Sequence, residues 1–146
     1  MKVEVTGDVI TGYVDIKASP ERVFAALADT KQWWGSPEMY RLTRSEMPLQ
    51  AGADWISEGV GVDGKTFSVA GKVLVADPPR VLSHTWNPSW EDGLPETTVT
   101  YRLEPIDEGT RVHITHGSFA DFTDGAKEHY QGWIKVLGWL AAFCER

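Results

Sequence analysis

The segment TTVTYRLEPIDEGTRVHITH, residues 97–116, is the clearest indication of the fold. In each half, every second residue is apolar or aromatic, which is typical of a strand with one buried face. The turn-forming residues IDEG separate the two halves, so the segment predicts an antiparallel hairpin. The side chains predicted to face inward are Val99, Tyr101, Leu103, Val112, Ile114 and His116.

Four more strands are predicted upstream of this hairpin. They are MYRLTRSEM, ADWISEGVGV, TFSVAGKVLVAD and RVLSHTWN, separated by LQAG, VDGK, DPP and NPSWEDGLP. Six consecutive strands with short connections favour an antiparallel meander over a parallel sheet. The inward faces of two of them are Phe67, Val69, Gly71, Val73 and Val75, and Leu82, His84 and Trp86. Gly71 interrupts the longest strand, where glycine commonly marks a bulge or sharp bend, so a strongly curved sheet is expected.

Helical patterns flank the meander on both sides. A first strand, VITGYVDIKA, precedes SPERVFAALAD, which has Ser19 as N-cap and Pro20 at the first helical position. DTKQWWGSP predicts a second short helix. After SFADFTDG, residues 127–144 place an apolar stripe on one helical face that also carries His129 and Trp133. The predicted fold is α+β: about seven strands curved around a long C-terminal helix.

Composition excludes several classes of protein. With 14 Lys and Arg against 21 Asp and Glu, the net charge is -7, which disfavours nucleic acid and anionic membrane surfaces as partners. No apolar run reaches the roughly 18 residues of a membrane span, and MKVEVTGDVITG lacks a signal pattern. The single cysteine, Cys144, fits a reducing compartment. We therefore expect one cytoplasmic domain over residues 1–146, with no cofactor.

Four motifs, in this order, resemble the START/SRPBCC superfamily and, within it, the activator-of-90-kDa-heat-shock-protein-ATPase homologues. They are IKASPERVFAALADTKQWW, GKVLVADPPRVLSHTW, TVTYRLEPIDEGTRVHITHGSF and GWIKVLGWL. The resemblance implies a helix-grip fold, in which a curved antiparallel sheet wraps around the last helix and a ligand lies between them. Eukaryotic members carry a separate chaperone-binding domain, and this sequence starts directly at the helix-grip fold. A small-molecule carrier or sensor is therefore expected at least as much as a chaperone accessory.

Strand alternation and this resemblance together nominate an aromatic chamber. Taken singly, a tryptophan or histidine on such a face is more often a core residue, but several inward polar side chains are costly to bury without a wet cavity. We predict a cavity lined by Trp86, Tyr101, His116 and Trp133. The full set of candidate ligand-binding residues is Trp33, Trp34, Trp55, Phe67, His84, Trp86, Tyr101, His116, Phe119, His129 and Trp133.

The predicted function is non-covalent binding of a hydrophobic or aromatic small molecule, whether lipid-like, polyketide-like or polyphenol-like. One alternative is a cyclase or dehydratase with His116 as general base and Tyr101 as hydrogen-bond donor. The other is an accessory that binds the 90-kDa heat-shock chaperone. No spacing supports a metal site at His84, His116 and His129. Trp90, in NPSWEDGLPE, is expected either in a lid over the cavity or in a homodimer contact.

Overall fold

The structure is a computed structural model that describes residues 1–90, 95–120 and 123–146. Within these ranges the chain forms nine strands, two α-helices and one 3-10 helix. The helices are α1 Pro20–Leu27, the 3-10 helix Thr30–Gln32 and α2 Thr123–Cys144. The strands are β1 Lys2–Thr6, β2 Val9–Ile16, β3 Gly35–Ser36, β4 Tyr40–Glu46, β5 Asp54–Gly61, β6 Thr66–Asp77, β7 Val81–Pro88, β8 Thr97–Ile106 and β9 Gly109–Gly117.

All nine strands belong to one antiparallel sheet with the order β1-β2-β9-β8-β7-β6-β5-β4-β3. The run from β4 to β9 is the predicted six-strand meander, which confirms the α+β fold class. The predicted count of about seven strands omitted β1 and the two-residue β3. Strand β1 pairs with β2 through a turn at Gly7 and Asp8, with Thr6 opposite Val9 and Gly7 at a φ of 63°. Because a positive φ suits glycine, the TGDV sequence is a hairpin signal.

The longest strand, β6, contains an irregularity, but it does not lie at Gly71. The register against β7 shifts between Val73 and Val75. This bulge reverses the alternation of side chains, so the prediction that Val75 faces inward is wrong: Val75 is 44% exposed. Ala76 packs against the core instead. Gly71 serves a close approach, since a Cβ there would lie 2.5 Å from the carbonyl oxygen of Thr85.

Helix α1 begins as the sequence predicts. The side chain of Ser19 accepts a hydrogen bond from the Arg22 backbone N–H at 3.2 Å, and Pro20 occupies the first turn, where no N–H is needed. Its buried side chains, Val23, Phe24 and Leu27, face the core. The predicted second short helix is the three-residue 3-10 helix at Thr30–Gln32.

Helix α2 begins at Thr123, four residues before the start of the predicted stripe. The stripe itself is buried, from His129 and Trp133 through Leu137 and Leu140 to Cys144. At the other end of the helix, the Arg22 guanidinium donates to the carbonyl oxygens of Cys144 at 2.8 Å and Phe143 at 3.1 Å. These bonds satisfy carbonyls that have no partner within a helix. The C-terminal end of α2 is therefore anchored to α1.

Candidate ligand-binding site

A cavity of about 640 Å³ lies between the sheet and the N-terminal half of α2. This volume is within the range of small-molecule sites. Its inner surface comes from α1, strands β4 to β8 and α2. The inner lining includes Leu27, Trp34, Leu42, Trp55, Ser57, Val69, His84, Trp86, Tyr101, Trp133 and Val136.

Four tryptophans form the continuous wall of the cavity. Trp34 lies at ring-centroid distances of 6.3 Å from Trp86 and 6.1 Å from Trp133, and Trp55 lies 5.9 Å from Trp86. Rings at these separations, tilted or edge-on, are typical of favourable aromatic packing. The four come from different parts of the chain, so the sheet and the helix must both be in place before the wall exists.

Trp86 is held in position by His129. Its indole N–H donates to Nε2 of His129 at 3.1 Å, and Nδ1 of His129 lies 2.8 Å from the carbonyl oxygen of Gly125. A nitrogen that accepts from an indole carries no proton, so the proton of His129 is on Nδ1 and is donated to Gly125. This arrangement requires the neutral imidazole.

Trp133 is held in the same way by His116. Its indole N–H donates to Nδ1 of His116 at 3.0 Å, and Nε2 of His116 lies 2.8 Å from the hydroxyl of Thr97. The proton of His116 is therefore on Nε2 and is donated to Thr97, whose hydroxyl donates to the carbonyl oxygen of Trp86 at 3.4 Å. Burial lowers the pKa of His116 well below 6.5, and the nearby His129 and His84 contribute in the same direction.

Three of the predicted lining residues lie outside the cavity. His116 is fully buried behind Trp86 and Trp133, and both of its nitrogens are engaged, so it is not available as a general base. Phe119 packs on His116 and His129, with centroids 4.8 and 5.2 Å away. Trp33 is buried under α1 and donates its N–H to the carbonyl oxygen of Ala26 at 2.7 Å. The alternation of inward and outward side chains along a strand cannot distinguish a side chain that lines a cavity from one that packs behind the cavity wall.

The remaining wall tryptophans also have internal partners. Trp55 donates to the carbonyl oxygen of Thr85 at 2.8 Å, and Trp34 donates to the hydroxyl of Tyr40 at 3.0 Å. With the bonds of Trp86 and Trp133, every indole N–H of the wall is used within the protein. The wall therefore presents ring faces and edges to the cavity, and its hydrogen-bonding capacity must come from other side chains.

Three inward polar groups lack a hydrogen-bond partner among the described residues: the Ser57 hydroxyl, Nε2 of His84 and the Tyr101 hydroxyl. Nδ1 of His84 donates to the carbonyl oxygen of Thr85 at 3.0 Å, which leaves Nε2 as an acceptor. No described polar atom that is sealed from the cavity and solvent lacks a partner, so these three atoms are open to the cavity. Burial lowers the pKa of His84 to about 4 and raises that of Tyr101, so both are neutral near pH 7. Ser57 was not predicted from the sequence, although it alternates with Trp55 on β5.

The mouth of the cavity is a second group of aromatic side chains with charged residues around it. Tyr40 packs edge-on against Phe67 at 5.1 Å and against Trp139 at 6.0 Å, and Trp90 stacks on His129 at 6.4 Å. Trp90 lines the mouth and is 44% exposed. Residues 91–94 of its loop lie outside the described ranges. Lys65 and Lys135, together with Asp63 and Glu128, are exposed around the opening.

The described ranges contain neither a metal site nor a membrane-spanning helix. No group of three or more His, Cys, Asp or Glu side chains there is arranged to hold a metal ion. No helix in that part of the chain is long and apolar enough to cross a membrane. The chemistry that the cavity offers is therefore apolar contact, aromatic stacking and a few neutral hydrogen bonds.

Comparison with known proteins agrees with this architecture. Residues 17–145 match the family model described as Activator of Hsp90 ATPase homolog 1-like protein. A Chromobacterium violaceum structure superposes with a TM-score of 0.81 at 24% identity, covering 97% of this chain and 99% of that one. A Rhodobacter sphaeroides structure gives 0.84 at 22% identity, covering 97% and 95%. The AHSA1 protein from Silicibacter pomeroyi gives 0.78 at 27% identity, covering 92% and 95%. No curated protein matches the sequence.

Proposed function

The chain belongs to the family of activator of Hsp90 ATPase homolog 1-like proteins, within the SRPBCC superfamily of ligand-binding domains, and we propose that it binds an apolar, aromatic small molecule non-covalently as a carrier or sensor. The proposed site is the cavity between the sheet and the N-terminal half of α2. We propose that residues 1–146 form the single domain that binds the ligand.

The observation that carries this proposal is the internal bonding of the four wall tryptophans. Because each indole N–H already has a protein partner, a ligand gains affinity from the wall by burying apolar surface, at about 25 cal/mol per Å² before entropic costs. Ring faces on several sides favour a flat, aromatic ligand. His116 behind the wall and His129 in the cavity lining hold the wall in place, so the site is formed before the ligand enters.

Two glycines of α2 provide a matched test of this site. Gly132 lines the cavity, Gly138 does not, and a Cβ added at either position has no neighbour within 4 Å. Gly132→Phe should place its ring in the cavity, and Gly138→Phe should place the same ring elsewhere on the helix. The probe is N-phenyl-1-naphthylamine, an uncharged dye whose fluorescence rises in apolar sites.

We expect the dye to bind the wild type and Gly138→Phe with similar affinity, and Gly132→Phe at least about tenfold more weakly, a difference of ~1.4 kcal/mol. Thermal unfolding checks that both variants are folded. Equal binding by both variants would place the dye outside the cavity. Absence of binding to the wild type would count against the proposal.

The family match supports a second candidate, an accessory role on the 90-kDa heat-shock chaperone. Adding the protein to purified chaperone should then raise its ATPase rate. Gly132→Phe distinguishes the two functions, because filling the cavity should abolish small-molecule binding and leave a docking surface elsewhere intact. The catalytic alternative has less support, since His116 does not line the cavity and both of its nitrogens are engaged.

A further inference from the structure

The polar groups inside the cavity restrict the hydrogen-bonding groups and the charge of the ligand, which the aromatic wall does not. Ser57, His84 and Tyr101 come from the inner strands β5, β7 and β8, and all three are buried side chains of the cavity lining. We call these three residues the polar floor. Each faces the cavity with a nitrogen or oxygen that no described residue satisfies, and a buried group of this kind is costly until a ligand or water bonds it.

The polar floor has a defined donor and acceptor pattern. Because the Thr85 carbonyl takes the proton on Nδ1 of His84, Nε2 can only accept. The Tyr101 hydroxyl can donate, and its ring centroid lies 6.2 Å from that of His84. The Trp55 ring lies 4.5 Å from His84, so an apolar surface adjoins this acceptor. A ligand that satisfies both groups must offer a donor and an acceptor close together on an apolar body.

The charge of the ligand is restricted as well. Among the described lining residues, the cations are Lys65 and Lys135, and both are exposed at the mouth. An anionic group that reaches the polar floor would lose its hydration and gain no positive partner. A neutral His84 also cannot supply the charge, because burial lowers its pKa to about 4.

From this pattern we propose, building on the proposed function, that the ligand is an uncharged aromatic alcohol of the phenol class, whose hydroxyl donates to Nε2 of His84 and accepts from Tyr101. The hydroxyl is the smallest group that is donor and acceptor at once. His84 and Tyr101 then determine specificity, and the tryptophan wall provides most of the affinity.

Three naphthalenes test the proposal by calorimetric titration at pH 7. 2-Naphthol carries the hydroxyl, 2-methoxynaphthalene keeps the oxygen and loses the donor, and 2-naphthoate is an anion. We expect 2-naphthol to bind the wild type at least about tenfold more tightly than 2-methoxynaphthalene, a difference of ~1.4 kcal/mol. 2-Naphthoate should bind most weakly of the three.

Two variants assign this preference to the polar floor. His84→Phe keeps a ring of similar size, and the Thr85 carbonyl keeps its bond from Trp55, so the fold should be retained. This variant should bind 2-naphthol and 2-methoxynaphthalene equally. Tyr101→Phe should weaken both of these ligands by about the same factor, because both have an oxygen that accepts from Tyr101.

The outcomes separate this inference from the proposed function. If N-phenyl-1-naphthylamine binds but 2-naphthol has no advantage, or if the advantage survives in His84→Phe, the phenol inference is wrong and the apolar site stands. If neither the dye nor any of the three naphthalenes binds, both proposals fail.

Discussion

Trp133 on helix α2 donates its indole N–H to Nδ1 of His116 on strand β9 at 3.0 Å, and this buried bond joins the helix to the sheet behind the cavity. A second bond of the same kind joins Trp86 on β7 to His129 on α2 at 3.1 Å. In the first pair the helix supplies the donor and the sheet the acceptor, and in the second pair the sheet supplies the donor and the helix the acceptor. His116 and His129, which the sequence nominates as ligand-binding residues, therefore position the wall of the cavity.

The bond between Trp133 and His116 should be measurable as a coupling energy. His116→Phe leaves the buried indole N–H without a partner, so we expect the free energy of unfolding to fall by about 1–3 kcal/mol. In a double-mutant cycle with Trp133→Phe, measured by urea unfolding, the coupling should be about 1 kcal/mol. His113→Phe is the control, because His113 lies on the same strand and its ring nitrogen is 3.0 Å from Glu104 at the surface rather than in the core. Additive single effects would show that the bond contributes nothing.

Gly71 and Gly132 should respond in opposite directions to the same substitution. An added Cβ at Gly71 would lie 2.4 Å from Oγ1 of Thr85, and at Gly132 it would meet nothing within 4 Å. Gly71→Ala should therefore lower the free energy of unfolding by at least about 2 kcal/mol, since β6 and β7 must move apart. Gly132→Ala should raise it by up to about 1 kcal/mol through helix propensity. Urea unfolding of both variants decides the matter, and a neutral Gly71→Ala would contradict the close approach.

Local patterns predicted most of the fold for identifiable reasons. The period of two in residues 97–116 identified the hairpin of β8 and β9, and the Ser19-Pro20 pair identified the start of α1. These signals arise from backbone geometry near each residue. Strand β3 has two residues and therefore no period to detect. Val75 was misassigned because a bulge depends on the pairing with β7, which lies outside the strand's own pattern.

The sequence predicted which residues lie near the site, but it did not predict which of them contact the cavity and which pack behind its wall. Alternation placed His84, Trp86 and Tyr101 on inward faces, and Trp55 was expected at the entrance; all four are buried and line the cavity. It could not separate them from His116, which is equally inward and lies one layer behind. That distinction depends on how far α2 is held from the sheet, and this spacing results from packing between distant segments. The same limit explains why Ser57 was overlooked.

The anchor of α2 to α1 gives a third prediction. The Arg22 guanidinium reaches two carbonyls at the end of α2 and lies 5.5 Å from the Phe143 ring centroid. Arg22→Ala removes both hydrogen bonds and the stacking, so we expect a loss of about 1–2 kcal/mol. Arg22→Lys should recover only part of it, because an ammonium cannot reproduce the fork of donors.

Arg80→Ala is the matched control for Arg22, since Arg80 forms an exposed ion pair with the nearby Asp77. It should change the free energy of unfolding by less than about 0.5 kcal/mol. Hydrogen exchange adds a local measurement: amides in the last turn of α2 should lose protection in Arg22→Ala. Equal protection in both arginine variants would mean that the helix end does not depend on Arg22.

The buried histidines predict the pH dependence of stability. Burial lowers the pKa of His84 to about 4 and that of His116 well below 6.5, and in the unfolded chain both titrate at about 6.5. Below that pH the unfolded chain binds protons that the folded chain does not, so the free energy of unfolding falls as the pH falls. Between pH 7 and pH 5 the loss from His84 alone should be about 2 kcal/mol, and His116 adds to it. Asp15, whose pKa the Arg111 hydrogen bond lowers, loses its contribution only below about pH 4.

Urea unfolding at pH 7, 6 and 5 measures this slope, and two variants assign it. His84→Phe should make the slope shallower, because one of the protons taken up on unfolding is lost. His116→Phe should do the same, because burial also lowers the pKa of His116. A free energy of unfolding that is level from pH 7 to pH 5 would mean that His84 and His116 take up protons in the folded chain as readily as in the unfolded chain, which burial of His84 and the bond from Trp133 to His116 do not permit.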